Sequence, residues 1–330
     1  MPDLTFVIIV IVIALIFDFI NGFHDSANAI ATIVATNVLK PRNAVLLAAF
    51  WNFFGAFVFS VAVAITIGKG VIDPKIVNIY VILSALIGAI LWNLITWFYG
   101  IPSSSSHALI GGLIGVGIIS SGIKSIIFSG LSKIFLFIFV APLLGFLGAT
   151  IFTILLMWIF KGTNPSKINS YFKKLQLVSS SFYSLGHGAN DAQKTMGIIA
   201  LLLFTSGLIS TFYVPKWVII VSYTSIALGT FFGGWRIVKT MGMKITKLMP
   251  FHGFAAETSG GIVLLVTALF GIPVSTTHVI SGSIMGVGSV KRYSGVRWQV
   301  ARRIVVAWLL TIPVSAIIAG LSYFIINLFL

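Results

Sequence analysis

The side chains in this sequence that can do chemistry lie in four short segments, two acidic and two rich in hydroxyls. Residues 22–28 read Gly-Phe-His-Asp-Ser-Ala-Asn and residues 188–194 read Gly-Ala-Asn-Asp-Ala-Gln-Lys, which sets Asp25 opposite Asp191. Residues 101–107 read Ile-Pro-Ser-Ser-Ser-Ser-His and residues 272–278 read Ile-Pro-Val-Ser-Thr-Thr-His, followed by Gly111 and Gly282 at one common offset. Beside the aspartates stand the amides of Asn28, Asn190 and Gln193. Carboxylate, amide and backbone carbonyl oxygens are the ligands a hard cation prefers. In the hydroxyl segments, proline is favoured at a first helical position and Ser or Thr caps the free N–H groups there. Such a helix start presents unpaired N–H donors and about half a positive charge. With the hydroxyls added it becomes an oxyanion cradle.

The expected anion site comprises Asp25, Asn28, Ser104, Ser105, Ser106, Asp191, Gln193, Ser275, Thr276 and Thr277. The expected Na⁺ ligands are Asp25, Asn28, Ser103, Asn190, Asp191 and Glu257. Each element has a plainer reading: a carboxylate as a helix cap or ion-pair partner, a serine run as packing in a kinked helix. Asp18 has no acidic counterpart and takes the structural reading; His107 and His278 read as hydrogen-bonded supports. An anion site lined by two aspartates repels its substrate unless cations come too, which is a basis for coupling. An ionised carboxylate also accepts a hydrogen bond from a phosphate P–OH, whereas sulfate at neutral pH has no proton to give. Phosphate is favoured over sulfate.

The surrounding chain must hold these groups in a bilayer. Of 330 residues, 58% are hydrophobic and 8% charged, with a mean hydropathy of +1.10. A soluble domain carries charge at roughly a quarter of its positions, so lipid has to be the solvent. Residues 43–68, 76–123, 134–160, 258–290 and 304–330 contain no Asp, Glu, Lys or Arg. At about 20 residues per crossing, these lengths predict about ten to twelve membrane elements, some of them not full crossings. The run 4–17 has no basic stretch before it and is read as part of the first membrane helix, not a signal peptide. Four acidic residues, Asp18, Asp25, Asp191 and Glu257, lie in or beside apolar segments. Each costs about 2.5–3.5 kcal/mol at the bilayer centre on insertion scales.

The net charge of +15 comes from short clusters between apolar runs: Lys161, Lys167, Lys173 and Lys174; Arg236, Lys239, Lys244 and Lys247; and Lys291, Arg292, Arg297, Arg302 and Arg303. Cytoplasmic loops have this distribution. The expected partner is anionic lipid rather than nucleic acid. With no cysteine, disulfides and thiolate chemistry are excluded.

Residues 52–55 (Asn-Phe-Phe-Gly) match 230–233 (Thr-Phe-Phe-Gly), a third pairing in the same order as the other two. The chain therefore reads as a duplication: a first transmembrane repeat over 1–160, a basic cytoplasmic linker loop over 161–175 and a second repeat over 176–330. The expected fold is an all-α polytopic membrane protein with duplicated, inverted repeats and two re-entrant Ser/Thr-rich hairpins. Inversion is argued by analogy. Gly22, Gly186, Gly188 and Gly197 predict breaks in the helices that carry the aspartates.

These motifs resemble the inorganic phosphate transporter (PiT) family over essentially the whole chain, most specifically at residues 188–191, 101–107, 272–278 and Glu257. The resemblance implies an inverted-repeat fold, re-entrant hairpins, phosphate as substrate, Na⁺ or H⁺ as coupling ion, a cell-membrane location and often a homodimer. The sequence departs from the family pattern at His24, at Lys194 and at Asn52. Lys194 is a fixed ammonium able to replace one bound cation beside Asp191. The reading is a Na⁺-coupled phosphate symporter working by alternating access, without cofactor. An H⁺-coupled phosphate symporter, a sulfate permease and a passive anion channel are its rivals. An enzyme or a self-contained ATP-driven pump finds no support, since neither H-E-x-x-H nor a Walker A loop occurs.

Overall fold

Proline, asparagine and glycine punctuate the chain. Pro41, Pro165 and Pro250 each stand at the start of a helix, and the Asn78 and Asn164 side chains accept from the first backbone N–H groups of theirs. Gly100 and Gly271, both at φ 64°, end two matched helices. In each turn the glycine and the isoleucine after it donate back to the last helical carbonyls, Gly100 to Trp97 and Ile101 to Thr96, Gly271 to Ala268 and Ile272 to Thr267. A left-handed residue closes a helix in this way, and the proline that follows prevents its continuation.

The computed structural model describes residues 3–290 and 292–329. Apart from one bridge between Ile72 and Ile126, every regular element among them is a helix. The first half contains α1 (Leu4–Ala35), α2 (Pro41–Phe54), α3 (Ala62–Gly70), α4 (Ile79–Tyr99), α5 (Ser105–Ser121) and α6 (Phe128–Ile159). The second contains α7 (Pro165–Thr205), α8 (Lys216–Phe232), α9 (Trp235–Lys239), α10 (Pro250–Leu269), α11 (Thr276–Ser289) and α12 (Trp298–Asn327). Bends of 82° between α2 and α3 and of 61° between α8 and α9 fall in corresponding places. Helices α1, α4, α6, α10 and α12 are long and apolar enough to cross a membrane, and each bent pair adds one more if taken as a single span. The chain is a multi-pass membrane protein.

Two expectations need correction. The segment 161–175 is not a loop: Pro165 starts α7, with Asn164 as its cap, so most of the basic linker is helix. Nor are the aspartate helices broken, since α1 and α7 run through Gly22, Gly186, Gly188 and Gly197 without interruption. The glycines serve close packing instead. A Cβ at Gly22 would strike the backbone of Ile226 on α8, and one at Gly188 the backbone of Asn52 on α2. Small residues let membrane helices approach in this way.

The halves interlock. Helix α1 packs on α8 and α7 on α2 and α3, while α6 packs on α11 and α12 on α5. The Asn52 amide donates to the Thr230 hydroxyl at 2.8 Å, and the His107 and His278 rings meet with centroids 4.7 Å apart. Both contacts join positions matched in sequence.

Candidate functional site

Polar residues on α1 recur at Asp18, Asn21, Asp25, Asn28, Thr32 and Thr36, a spacing of three or four that lines one helical face. Helix α7 presents Gln176, Ser179, Tyr183, His187, Asp191 and Lys194 in the same manner, and all these residues are buried. The two faces meet where the hairpin tips, α4–α5 and α10–α11, reach the interior.

Asp25 and Asp191 come together there with His187, the ligating atoms of the three lying within 4.8 Å of one another. The second hairpin tip bridges the aspartates: Asn28 donates to Thr276 Oγ1 at 3.1 Å and Thr277 Oγ1 at 3.0 Å, Thr276 donates to Asp191 Oδ2 at 2.9 Å, and Thr277 lies 3.5 Å from Asp25. Tyr183 fixes that tip by donating to the Thr276 carbonyl at 3.0 Å. The first tip enters through Lys194, whose ammonium donates to Ser106, to Asp191 and, at 3.0 Å, to the Val274 carbonyl. One lysine on α7 thereby ties both hairpins to one carboxylate.

Two histidines surround this centre. His24 Nδ1 lies 2.7 Å from Asp25 Oδ1, and its Nε2 lies 3.0 Å from the Thr96 hydroxyl, to which Ser103 donates at 2.8 Å. His187 Nδ1 lies 3.1 Å from Asn52 Oδ1, and its Nε2 lies 3.1 Å from Asp191 Oδ2 without a hydrogen bond of good geometry.

The other expected site residues divide. Ser104 and Ser275 spend their hydroxyls on the N–H groups of His107 and His278, as N-caps do. Ser105 Oγ is buried and unpartnered. Asn190 Nδ2 donates to the Gly186 and Leu264 carbonyls, tying α7 to α10, while its Oδ1 is unpartnered. Gln193, expected at the anion, is turned away: Oε1 accepts from Val63 and Ala64 N–H at the start of α3, and Nε2 donates to the Ala189 carbonyl. The cause is periodicity, since two residues beyond Asp191 is about half a helical turn from the aspartate face. Glu257 sits apart from both aspartates, accepting from Thr32 at 2.5 Å, Gln176 at 2.9 Å and Ser179 at 2.5 Å.

Sequence reading did not place His187, Thr96 or Tyr183 in the centre. For His187 a signal existed: it precedes Asp191 by four residues, hence one helical face. Thr96 and Tyr183 join only through tertiary contacts.

Thr36, whose hydroxyl donates to Gln176 at 2.9 Å, also lines a cavity of about 550 Å³ with Lys173, Lys247 and Arg297. Each of the three basic clusters contributes one residue, so they share a face, which the positive-inside rule makes cytoplasmic. Between it and the aspartates stands the Glu257 cluster. In the first half the positions matched to Glu257, Gln176 and Ser179 are Leu86, Val10 and Ile13. Polar side chains thus extend from the centre to the cytoplasmic face, and the three matched positions of the first half are apolar.

The phosphate transporter family matches residues 21–319 of this chain. A Rhizobium meliloti protein named "Probable low-affinity inorganic phosphate transporter" is 56% identical over 315 residues, covering 95% of this chain and 94% of the relative. A Bacillus subtilis protein of the same name is 46% identical over 324 residues and 97% of each chain. A solved structure, "The sodium-dependent phosphate transporter", shares the fold with a TM-score of 0.92 at 28% identity, over 99% of this chain and 100% of that one. With the family match over residues 21–319 and relatives similar over nearly the whole length, this chain belongs to the phosphate transporter family.

Proposed function

We propose that this chain is a secondary active transporter that carries inorganic phosphate together with Na⁺ by alternating access. The observation that carries the reading is the convergence of both hairpin tips on both aspartates inside one buried centre. Phosphate docks on the hydroxyls of Ser105, Ser106, Thr276 and Thr277 and on N–H groups at the starts of α5 and α11 that the Ser104 and Ser275 caps leave free. Lys194 adds a fixed positive charge at the anion. Asp25, the unpartnered Oδ1 of Asn28 and the Thr277 hydroxyl supply hard oxygens for Na⁺.

The cation cancels the Asp25 charge that would otherwise repel phosphate, so neither binds well alone. At Asp191 the ammonium of Lys194 already does this, leaving one transported cation at the centre where two aspartates alone would call for two. The two halves, related as inverted repeats, rock against one another around the site. The sodium-dependent neighbour and family membership support phosphate and Na⁺.

His187 favours a second reading. Its Nε2 is buried without a hydrogen-bond partner 3.1 Å from Asp191 Oδ2, a place where the ring could take up a proton and pass it to the carboxylate, which would make H⁺ the coupling ion.

Radiolabelled phosphate uptake into proteoliposomes tests both, with an imposed Na⁺ gradient, an imposed H⁺ gradient, or neither. Accumulation driven by Na⁺ and lost in Asp25→Asn supports the first reading. Accumulation driven by H⁺ alone supports the second. Downhill flux indifferent to both gradients would indicate a channel, and transport of sulfate instead would overturn the substrate.

A further inference from the structure

Asp18 lies two turns before Asp25 on α1, and the site above leaves it unused. It is 0% exposed, and neither of its carboxylate oxygens has a hydrogen-bond partner of good geometry in the protein. Asn21 Oδ1, one turn further along α1, and the Thr195 hydroxyl on α7 are also buried and unpartnered. Asn21 and Thr195 are the side chains that face Asp18. The charged groups nearest it are Asp191 and Lys194 on α7, and the Tyr223 phenol faces it from α8. Lys194 does not neutralise it, because its three donors go to Ser106, Asp191 and the Val274 carbonyl.

Three acceptor oxygens and the Thr195 hydroxyl are therefore buried together without partners, with the Asn21 amide as the other donor beside Asp18. Membrane interiors do not hold such groups without a positive partner, and unpaired buried atoms in a native fold call for an ion or another guest. We propose that Asp18, Asn21 and Thr195 form a cation site of their own, on the extracytoplasmic side of the Asp25–Asp191 centre, that takes a small monovalent cation, Na⁺ or a proton. A proton on Asp18 is donated to Asn21 Oδ1 while Thr195 donates to the other carboxylate oxygen, which satisfies every group. Na⁺ takes all four oxygens as ligands. In either form the site adds one cation to the centre's own. The polar face of α1 then carries the cation pocket at Asp18, the substrate centre at Asp25 and Asn28, and the Glu257 cluster at Thr32.

The use of this site in coupling rests on the symport reading, but its occupancy does not, so the test is made by binding. Purified protein in Na⁺-free detergent is titrated in two arms: radiolabelled sodium at fixed pH, and acid in choline chloride with protons counted potentiometrically. Asp18→Asn keeps the volume and removes the charge. If Na⁺ is the ligand, the variant binds one sodium fewer per chain. If a proton is, its titration curve lacks one group. Thr195→Val keeps Asp18 and weakens the cation that binds by about tenfold, the loss of one hydroxyl partner; it carries the test alone should Asp18→Asn fail to fold. Unchanged sodium count and unchanged proton count in Asp18→Asn, or unchanged affinity in a folded Thr195→Val, would overturn the proposal. Failure of wild-type uptake in proteoliposomes would sink the transport reading and leave these counts standing.

Discussion

Lys194 pairs with Asp191 one turn away on α7 and reaches Ser106 of the opposite hairpin with the same ammonium, whereas its counterpart in the first half, Asn28, has no charge to give Asp25. The two aspartates, matched in sequence, therefore differ in what neutralises them. Removing one partner of a buried ion pair costs about 3–5 kcal/mol. Lys194→Met is expected to lower phosphate uptake at limiting cation by at least about tenfold. Saturating cation restores part of it, and the cation dependence steepens because a second cation now serves Asp191. Flux measured against cation concentration decides; an unchanged slope would assign Lys194 to structure alone.

Gln193 and Thr276 make opposite predictions. Gln193 caps α3 and holds no substrate group, so Gln193→Ala costs about 1–2 kcal/mol of stability, as a lost cap does. Its thermal midpoint in detergent falls by a few degrees, and its phosphate KM stays at the wild-type value. Thr276 bridges Asn28 and Asp191 at the hairpin tip. Thr276→Val is expected to raise the KM about tenfold or more with little change in midpoint, one hydrogen bond to a charged group being worth about 1.5–3 kcal/mol.

Close packing at the aspartate helices gives a stability contrast. A Cβ at Gly188 would lie 2.8 Å from Asn52 Cα, a backbone atom that cannot swing away, whereas one at Gly70 would meet nothing nearer than the Thr66 methyl at 3.7 Å. Gly188→Ala should destabilise by about 1–3 kcal/mol through overpacking. Gly70→Ala, at the end of α3, should be neutral or gain up to about 1 kcal/mol from the reduced freedom of the unfolded chain. Thermal midpoints of the two variants, taken together, check this.

Glu257 accepts three hydrogen bonds, from Thr32, Gln176 and Ser179, which join α1, α7 and α10. These donors hold the carboxylate in place between the three helices. In Glu257→Gln one acceptor oxygen becomes an NH₂ turned toward donors, at a cost of about 1–3 kcal/mol for each group left unsatisfied. The expected result is a lower midpoint and a slower maximal rate with the cation dependence of uptake unaltered. A shallower cation dependence would place Glu257 among the cation ligands.

Much of this protein was legible before any fold. Hydropathy alone requires the membrane, because a chain with 8% charge cannot coat itself for water. The paired motifs recur in one order in both halves, and Pro102 and Pro273 mark the starts of α5 and α11 to within a few residues. What tertiary structure decided is where equal sequence positions acquire unequal roles. Gly22 and Gly188 read as breaks, since glycine in isolation weakens a helix; packed against α8 and α2 they are contact points. Gln193 and Asp191 stand two residues apart, yet a helix of 3.6 residues per turn sends one to α3 and the other to the substrate centre. Asp18 has no acidic counterpart in the second half and reads as structural in sequence; only the folded chain shows both its carboxylate oxygens buried without a partner. Side-chain partners across 135 or 248 residues of chain, as for His187 with Asn52 or Asn28 with Thr276, are fixed by which helices touch, and that depends on the packing of the whole interior.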